Sequence, residues 1–187
     1  MIYNNQQLLK CKTEKEFIKQ WDSNKYDWKN SWTLPKHYSN CFNIWWDPEK
    51  FDWKWSHYLI EYCSEYFKTW WDSEKFDWYW SHRLSKHCSE YFEIWWNPEK
   101  FNWMNESGFI CIYCSNYFNI WWDPEKYNWA YSNCLAEYCT EHFNIWWDPN
   151  KFNWNNSHYL AEYCQEYKDI WIQNYIIYKL NKGLHFG

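Results

Sequence analysis

The second tryptophan of a Trp-Trp pair returns at Trp46, Trp71, Trp96, Trp122 and Trp147, after a degenerate first copy at Trp21, so the spacing is 25, 25, 25, 26 and 25 residues. Each copy repeats, with small changes, the run Ile44-Trp45-Trp46-Asp47-Pro48-Glu49-Lys50-Phe51-Asp52-Trp53. A period of this length restricts the chain to repeat architectures, in which one unit cannot bury its apolar surface alone and neighbours supply the missing contacts. A single isolated copy leaves about half of its apolar side chains in water, too little burial to offset the entropy of ordering it.

Composition narrows the choice. The 187 residues include 21 Trp, 18 Tyr and 12 Phe but only 3 Gly and 5 Pro. So many aromatics exclude a disordered chain, and so few glycines leave collagen-like, phosphate-cradling and tightly turned β architectures without the backbone freedom they need. The net charge of −5 argues against nucleic acid as a partner, because duplex binding requires a dense cationic face. Residues Met1 to Lys10 lack the basic and apolar regions of a secretory signal, and the most apolar stretch, Ile170 to Tyr178, is too short and too polar to span a bilayer. The expectation is a soluble intracellular protein without a membrane partner.

Within one copy, Asp47-Pro48-Glu49-Lys50 has the order of a helix start: a capping Asp, Pro at the first helical position, and an acid near the positive end of the dipole. A short helix or turn is expected there. Ser56 and its equivalents Ser31, Ser81, Ser107, Ser132 and Ser157 follow about ten residues later and read as a second N-cap. Leu59, Tyr62, Cys63, Tyr66, Phe67 and Trp70 then recur three and four apart, which makes one apolar helical face. Ser64, Ser89, Ser115 and Thr140 are placed where they could divide that helix, and the sequence leaves this open. A β-solenoid shares the period, but the alternation of Phe51, Trp53 and Trp55 ends after those residues, and Leu-Ala-Glu-Tyr-Cys at 135–139 and 160–164 favours helix.

The expected fold is therefore all-α, an α-solenoid of about six 25-residue helical repeats. Residues 1–16 are assigned to an N-terminal cap, 17–172 to the array, and 173–187 to a capping helix and tail stopped at Gly183. The extra residue of the 26-residue copy, near Asn105-Glu106, is expected in a loop before Ser107.

Candidate chemistry is repetitive. Cys63, Cys88, Cys114, Cys139 and Cys164 share one repeat position; helices stacked ~8 to 10 Å apart keep such neighbours beyond disulfide reach, so small buried thiols are expected. Cys111-x-x-Cys114 has no second pair to complete a zinc site. His57, His82 and His158, following the N-cap, are expected at a surface edge, turned away from the repeat cysteine. No metal or cofactor is called for.

Lys25, Lys50, Lys75, Lys100, Lys126 and Lys151 recur beside Asp22, Asp47, Asp72, Asn97, Asp123 and Asp148. Stacking would align them next to tryptophan faces as a ladder able to hold an extended anion, a peptide or a glycan. The plainer reading is that Asp caps its turn while Lys lies over a Trp ring or pairs with a neighbouring acid. Variable pairs, Lys54-Trp55, Tyr79-Trp80, Met104-Asn105, Ala130-Tyr131 and Asn155-Asn156, are expected to face solvent and to read any specific partner. Nucleophile elbows, Walker loops, His-Glu-x-x-His and dinucleotide fingerprints are absent from the sequence, and identical carboxylates in equivalent surroundings make no asymmetric catalytic constellation.

The run Phe152-Asn153-Trp154-Asn155-Asn156-Ser157-His158-Tyr159-Leu160-Ala161-Glu162-Tyr163-Cys164 resembles the short helical Trp-rich, Asn/Asp-Pro repeats of uncharacterised proteins in large DNA viruses and AT-rich microbes, over about residues 17 to 172. The resemblance implies no catalytic residues and, if the source is viral, a location in the host cytoplasm. The function expected is a non-enzymatic scaffold or protein-interaction module, with a glycan- or polyanion-binding surface on the Trp, Asp and Lys ladder as the alternative.

Overall fold

The computed structural model describes residues 8–183; residues 1–7 of the expected N-terminal cap and 184–187 of the expected tail lie outside the described residues. Among the described residues the fold is all-α, with α-helices, 3-10 turns and no strand. The chain forms two compact units, 1–95 and 96–187, and the division between Trp95 and Trp96 is also a repeat boundary, so each unit holds three copies.

The second copy shows the plan from which the fourth and the last depart. Asp47 to Phe51 closes one turn, in which the Phe51 N–H donates to the Asp47 carbonyl at 2.9 Å and the Asp47 side chain accepts from the Glu49 N–H at 3.1 Å. The expected capping Asp is present, but the helix stops after that single turn. A 3-10 turn at Trp53–Trp55 follows, then a first helix Ser56–Tyr62, a second 3-10 turn Ser64–Tyr66, and a short second helix Phe67–Trp70. First helices of successive copies lie side by side within each unit: Thr33–Tyr38, Ser56–Tyr62 and Ser81–His87 in the first, Trp103–Cys114, Ser132–Tyr138 and Ser157–Tyr163 in the second.

The predicted second N-cap at the repeat serine is not what forms. Ser56 has helical backbone angles, and the capping of the preceding turn is done four residues earlier, by the side chains of Asp27, Asp77, Asn128 and Asn153. The serine instead joins copies. Ser31 Oγ accepts from the Asp52 N–H at 3.1 Å, Ser56 from Asp77 at 3.3 Å, Ser107 from Asn128 at 3.0 Å and Ser132 from Asn153 at 3.1 Å. These serines are fully buried, so the hydroxyl satisfies a backbone donor that water does not reach.

The helix is divided, and the break lies at the repeat cysteine rather than at a serine cap. Cys63, Cys88, Cys114 and Cys139 leave helical angles at φ −127 to −132°, and none of the following 3-10 turns carries a side-chain cap. At the break the carbonyls of Cys63, Cys88, Cys139 and Cys164 accept from the backbone N–H three residues on, and a buried indole adds a second donor. Trp70 Nε1 donates to the Cys63 carbonyl at 2.8 Å, Trp95 to Cys88 at 2.8 Å, Trp121 to Cys114 at 2.8 Å, Trp146 to Cys139 at 2.9 Å and Trp171 to Cys164 at 3.0 Å. In the first copy Trp45 bonds the Tyr38 carbonyl at 2.7 Å. Each break is therefore hydrogen-bonded within its own copy.

An aromatic spine runs through each unit. Phe42 lies between Trp46, 5.2 Å away, and Tyr66, 4.5 Å away, both nearly parallel to it. Phe143 lies likewise between Trp147 at 5.0 Å and Tyr167 at 4.3 Å. Stacked rings of this kind add stability beyond their buried area, and in both stacks the second ring belongs to the next copy.

The extra residue of the fourth copy is not in a loop. It is absorbed into the helix Trp103–Cys114, 12 residues long where the other copies have 7 or fewer, so the helix phase is kept for Ser107 and Ile110. Gly108 in that helix lies where a Cβ would sit 3.1 Å from the Tyr131 ring and 3.3 Å from Cys134 Sγ. At the other end the closing helix begins earlier than expected, at Lys168, runs to Asn181, and ends at Gly183 with φ 64°.

Candidate interaction face

Two edges of each copy carry recurring side chains that reach the surface. The first is the turn that carries the Lys and Asp row. Asp22, Asp47, Asp72, Asn97, Asp123 and Asp148 all turn a side-chain oxygen onto the backbone N–H two residues on, at 2.9 to 3.1 Å. Their place is structural in every copy. Lys75 Nζ reaches back to Glu49 Oε1 at 2.7 Å and lies over the Trp53 ring, 5.9 Å from its centre. Lys151 repeats this with Glu125 at 2.5 Å and Trp129 at 5.9 Å, and Lys126 pairs with Glu99 at 2.5 Å. Lys50 lies 3.5 Å from its own Asp47 and over Trp28, and Lys25 pairs with Asp22 at 2.8 Å. Lys100 occupies the same repeat position.

The row is thus aligned within each unit, as stacking requires, with its ammonium groups engaged. The lysines beside Glu49, Glu99 and Glu125 are about one-third exposed, while those glutamates are 79 to 82% exposed. A polyanion arriving at this edge meets carboxylates first. Each such pair contributes about 0 to 1 kcal/mol to stability.

Cysteine and histidine sites follow from packing. All nine cysteines are free thiols, and burial pushes Cys63, Cys88 and Cys164 up to about 12, so they remain protonated and unreactive. Cys111 and Cys134 belong to a packed group with Tyr127, whose hydroxyl is 3.3 Å from Cys111 Sγ. Among the described residues no three His, Cys, Asp or Glu side chains are placed to hold a metal ion. His57 departs from expectation: it is buried between Tyr58, 4.4 Å away, and Trp80, 4.3 Å away, and burial holds its basicity down. His158, with no following copy, is exposed. The variable pairs divide in the same way. Their first members, such as Tyr79 and Met104, are exposed, whereas Trp55 and Tyr131 cross to the preceding copy and donate to the carbonyls of Lys29 and Asn105.

The second edge is the outer face of the helices, and sequence reasoning passed over it. In the four-residue second helix, Phe and Trp point inward, leaving the two residues between them outside. One of these is Ile44, Ile94, Ile120 or Ile145, exposed at 40, 51, 53 and 57%, and Ile170 holds the same repeat position in the closing helix, exposed at 45%. Seven residues earlier stand Tyr113, Tyr138 and Tyr163 of the second unit, also exposed. The signal was present in Phe-x-Ile-Trp: residues two apart on a helix point about 200° apart, so a buried Phe implies an outward Ile. No helix among the described residues is long and apolar enough to cross a membrane. No protein-family model matches the chain, and neither a curated protein nor a solved structure does.

Proposed function

We propose that this chain is a non-enzymatic helical repeat scaffold that binds another protein through the outer face of its helices. The observation that supports it is the isoleucine row. A β-branched apolar side chain recurs at one position in five of six copies and is 40 to 57% exposed there. Scattered exposed apolar residues are ordinary on any surface, whereas a periodic row aligned by the fold is an interaction edge. The reading accords with the turns, whose Lys and Asp groups are engaged in the structure of the array, and with the buried, protonated thiols.

Affinity capture from the native source tests it, comparing the wild-type chain with one in which Ile44, Ile94, Ile120, Ile145 and Ile170 are all Ser. Partners captured by the first and lost with the second are expected, with unchanged circular dichroism. Identical capture by both chains overturns the reading. The alternative, a glycan or polyanion on the Trp, Asp and Lys edge, predicts instead that binding to a polysaccharide array survives the Ile changes and is lost in Lys75→Gln and Lys151→Gln.

A further inference from the structure

The outer face differs between the two units in a way that specifies a partner. In the second unit the exposed rows Tyr113, Tyr138, Tyr163 and Ile120, Ile145, Ile170 are bordered by Glu137, Glu141, Glu162, Glu166 and Asp169. Lys168 is the one lysine among those helix positions. The other lysines of the described array in this unit, Lys100, Lys126 and Lys151, belong to the turn row, where Lys126 and Lys151 pair with Glu99 and Glu125. In the first unit the same positions carry Lys36, His37, Lys68, Lys86 and His87 among Glu61, Glu65, Glu90 and Glu93, and Thr69 interrupts the isoleucines.

Resting on the scaffold reading, we infer that the second unit's face receives an amphipathic helix of a partner protein, with one apolar stripe flanked by lysines and arginines. The apolar rows supply the contact and the acids choose the sign. Stacked copies place successive isoleucines ~8 to 10 Å apart, and residues seven apart on a helix rise ~10 Å. An apolar residue every second turn therefore meets one isoleucine per copy. The tyrosines stand on the first helices of the same copies, before the break at the cysteine, and add a second exposed apolar row to the acidic unit. Nucleic acid and acidic membranes are repelled by the same carboxylates.

The test uses the full chain and three fluorescently labelled peptides of about 18 residues: a Leu/Lys amphipathic helix, its composition-matched scramble, and a Leu/Glu counterpart. Anisotropy titration is expected to show binding of the first, at least about tenfold weaker binding of the scramble, and none of the acidic peptide. Ile120→Ser with Ile145→Ser and Ile170→Ser should weaken binding at least about tenfold, and Glu137, Glu141, Glu162 and Glu166 all changed to Gln should flatten its salt dependence. Equal binding of the basic peptide and its scramble, or no effect of the Ile120, Ile145 and Ile170 changes, overturns the inference. If native capture depends on the isoleucines but the captured segment is neutral or acidic, the basic partner is overturned and the scaffold stands. If native capture is independent of the isoleucines, both fall.

Discussion

The two units share one spine and differ in what they pack and display around it. Both use Phe stacked between Trp and the next copy's ring, both relieve the helix break with an indole, and both join copies through a buried serine hydroxyl. Between the first helices, however, the first unit packs polar side chains. Arg83 lies over Trp80, 5.1 Å from the ring centre, and pairs with Glu61 at 2.5 Å, beside the buried His57. At that level the second unit has Gly108, Cys111, Cys134 and Ala136, small side chains that let helices approach. Tyr26 and Tyr127, which replace the phenylalanine of other copies, show the same adaptation in both. Each hydroxyl donates to the carbonyl four residues on, of Asn30 at 2.7 Å and Tyr131 at 2.8 Å, and each has a second polar neighbour, Thr33 or Cys111. Identical backbone positions thus hold different chemistry, and at Tyr26 and Tyr127 the added hydroxyl is hydrogen-bonded.

The shared spine predicts equal sensitivity. Trp70→Ala and Trp146→Ala should each cost about 3 to 5 kcal/mol, since each removes a fully buried ring and one of the hydrogen bonds to the cysteine carbonyl. Hydrogen exchange resolved along the chain reads the loss unit by unit, and a several-fold smaller effect in one unit would break the equivalence. The unlike interiors predict a one-sided effect. Gly108→Ala should destabilise the second unit by about 1 to 3 kcal/mol, as the new methyl pushes on Tyr131 and Cys134.

Ser132→Ala should cost about 1 to 2 kcal/mol by leaving the Asn153 N–H unpaired, whereas Ser157→Ala, in the last copy and partly exposed, should fall within about 0.5 kcal/mol of wild type. Chemical denaturation of the two variants compares them directly, and equal losses would remove the inter-copy role of the serine. The smallest effect is that of pH. His37, His57 and His87 are all in the first unit, and burial lowers the basicity of each. Their neutral forms are favoured by folding, so the stability they contribute is present above the unfolded value of about 6.5 and is lost as pH falls below it. Mild acid should therefore loosen the first unit before the second, which exchange at pH 7.5 and 5.5, corrected for intrinsic rates, will show.

Much of this was legible in the residues. The 25-residue period, the helical spacing from Leu59 to Trp70, the reduced thiols and the closing glycine are local or periodic properties, and periodicity survives in one dimension. The serine was misread because Ser before an apolar run is an N-cap by local rules, and only its 21-residue partner, Asp77 or Asn153, shows it bonding to the next copy. The inserted residue was misplaced because a loop is the usual site of tolerance, while here a helix lengthened at its start keeps every later side chain in phase. His57 was expected outside because nothing in its neighbours along the chain records that Trp80 covers it.

What the sequence determined by itself was the unit: its length, its helical character and its dependence on neighbours, because these follow from backbone propensity and apolar spacing. Tertiary structure decided which copies of a residue point into a neighbour and which into water. The lysines of the turns and the isoleucines of the helices recur equally well in the sequence. Stacking draws the ammonium groups onto the preceding copy's carboxylates and leaves the isoleucines outside, since a charge finds a partner across a copy boundary while a four-residue helix has room for only two inward side chains.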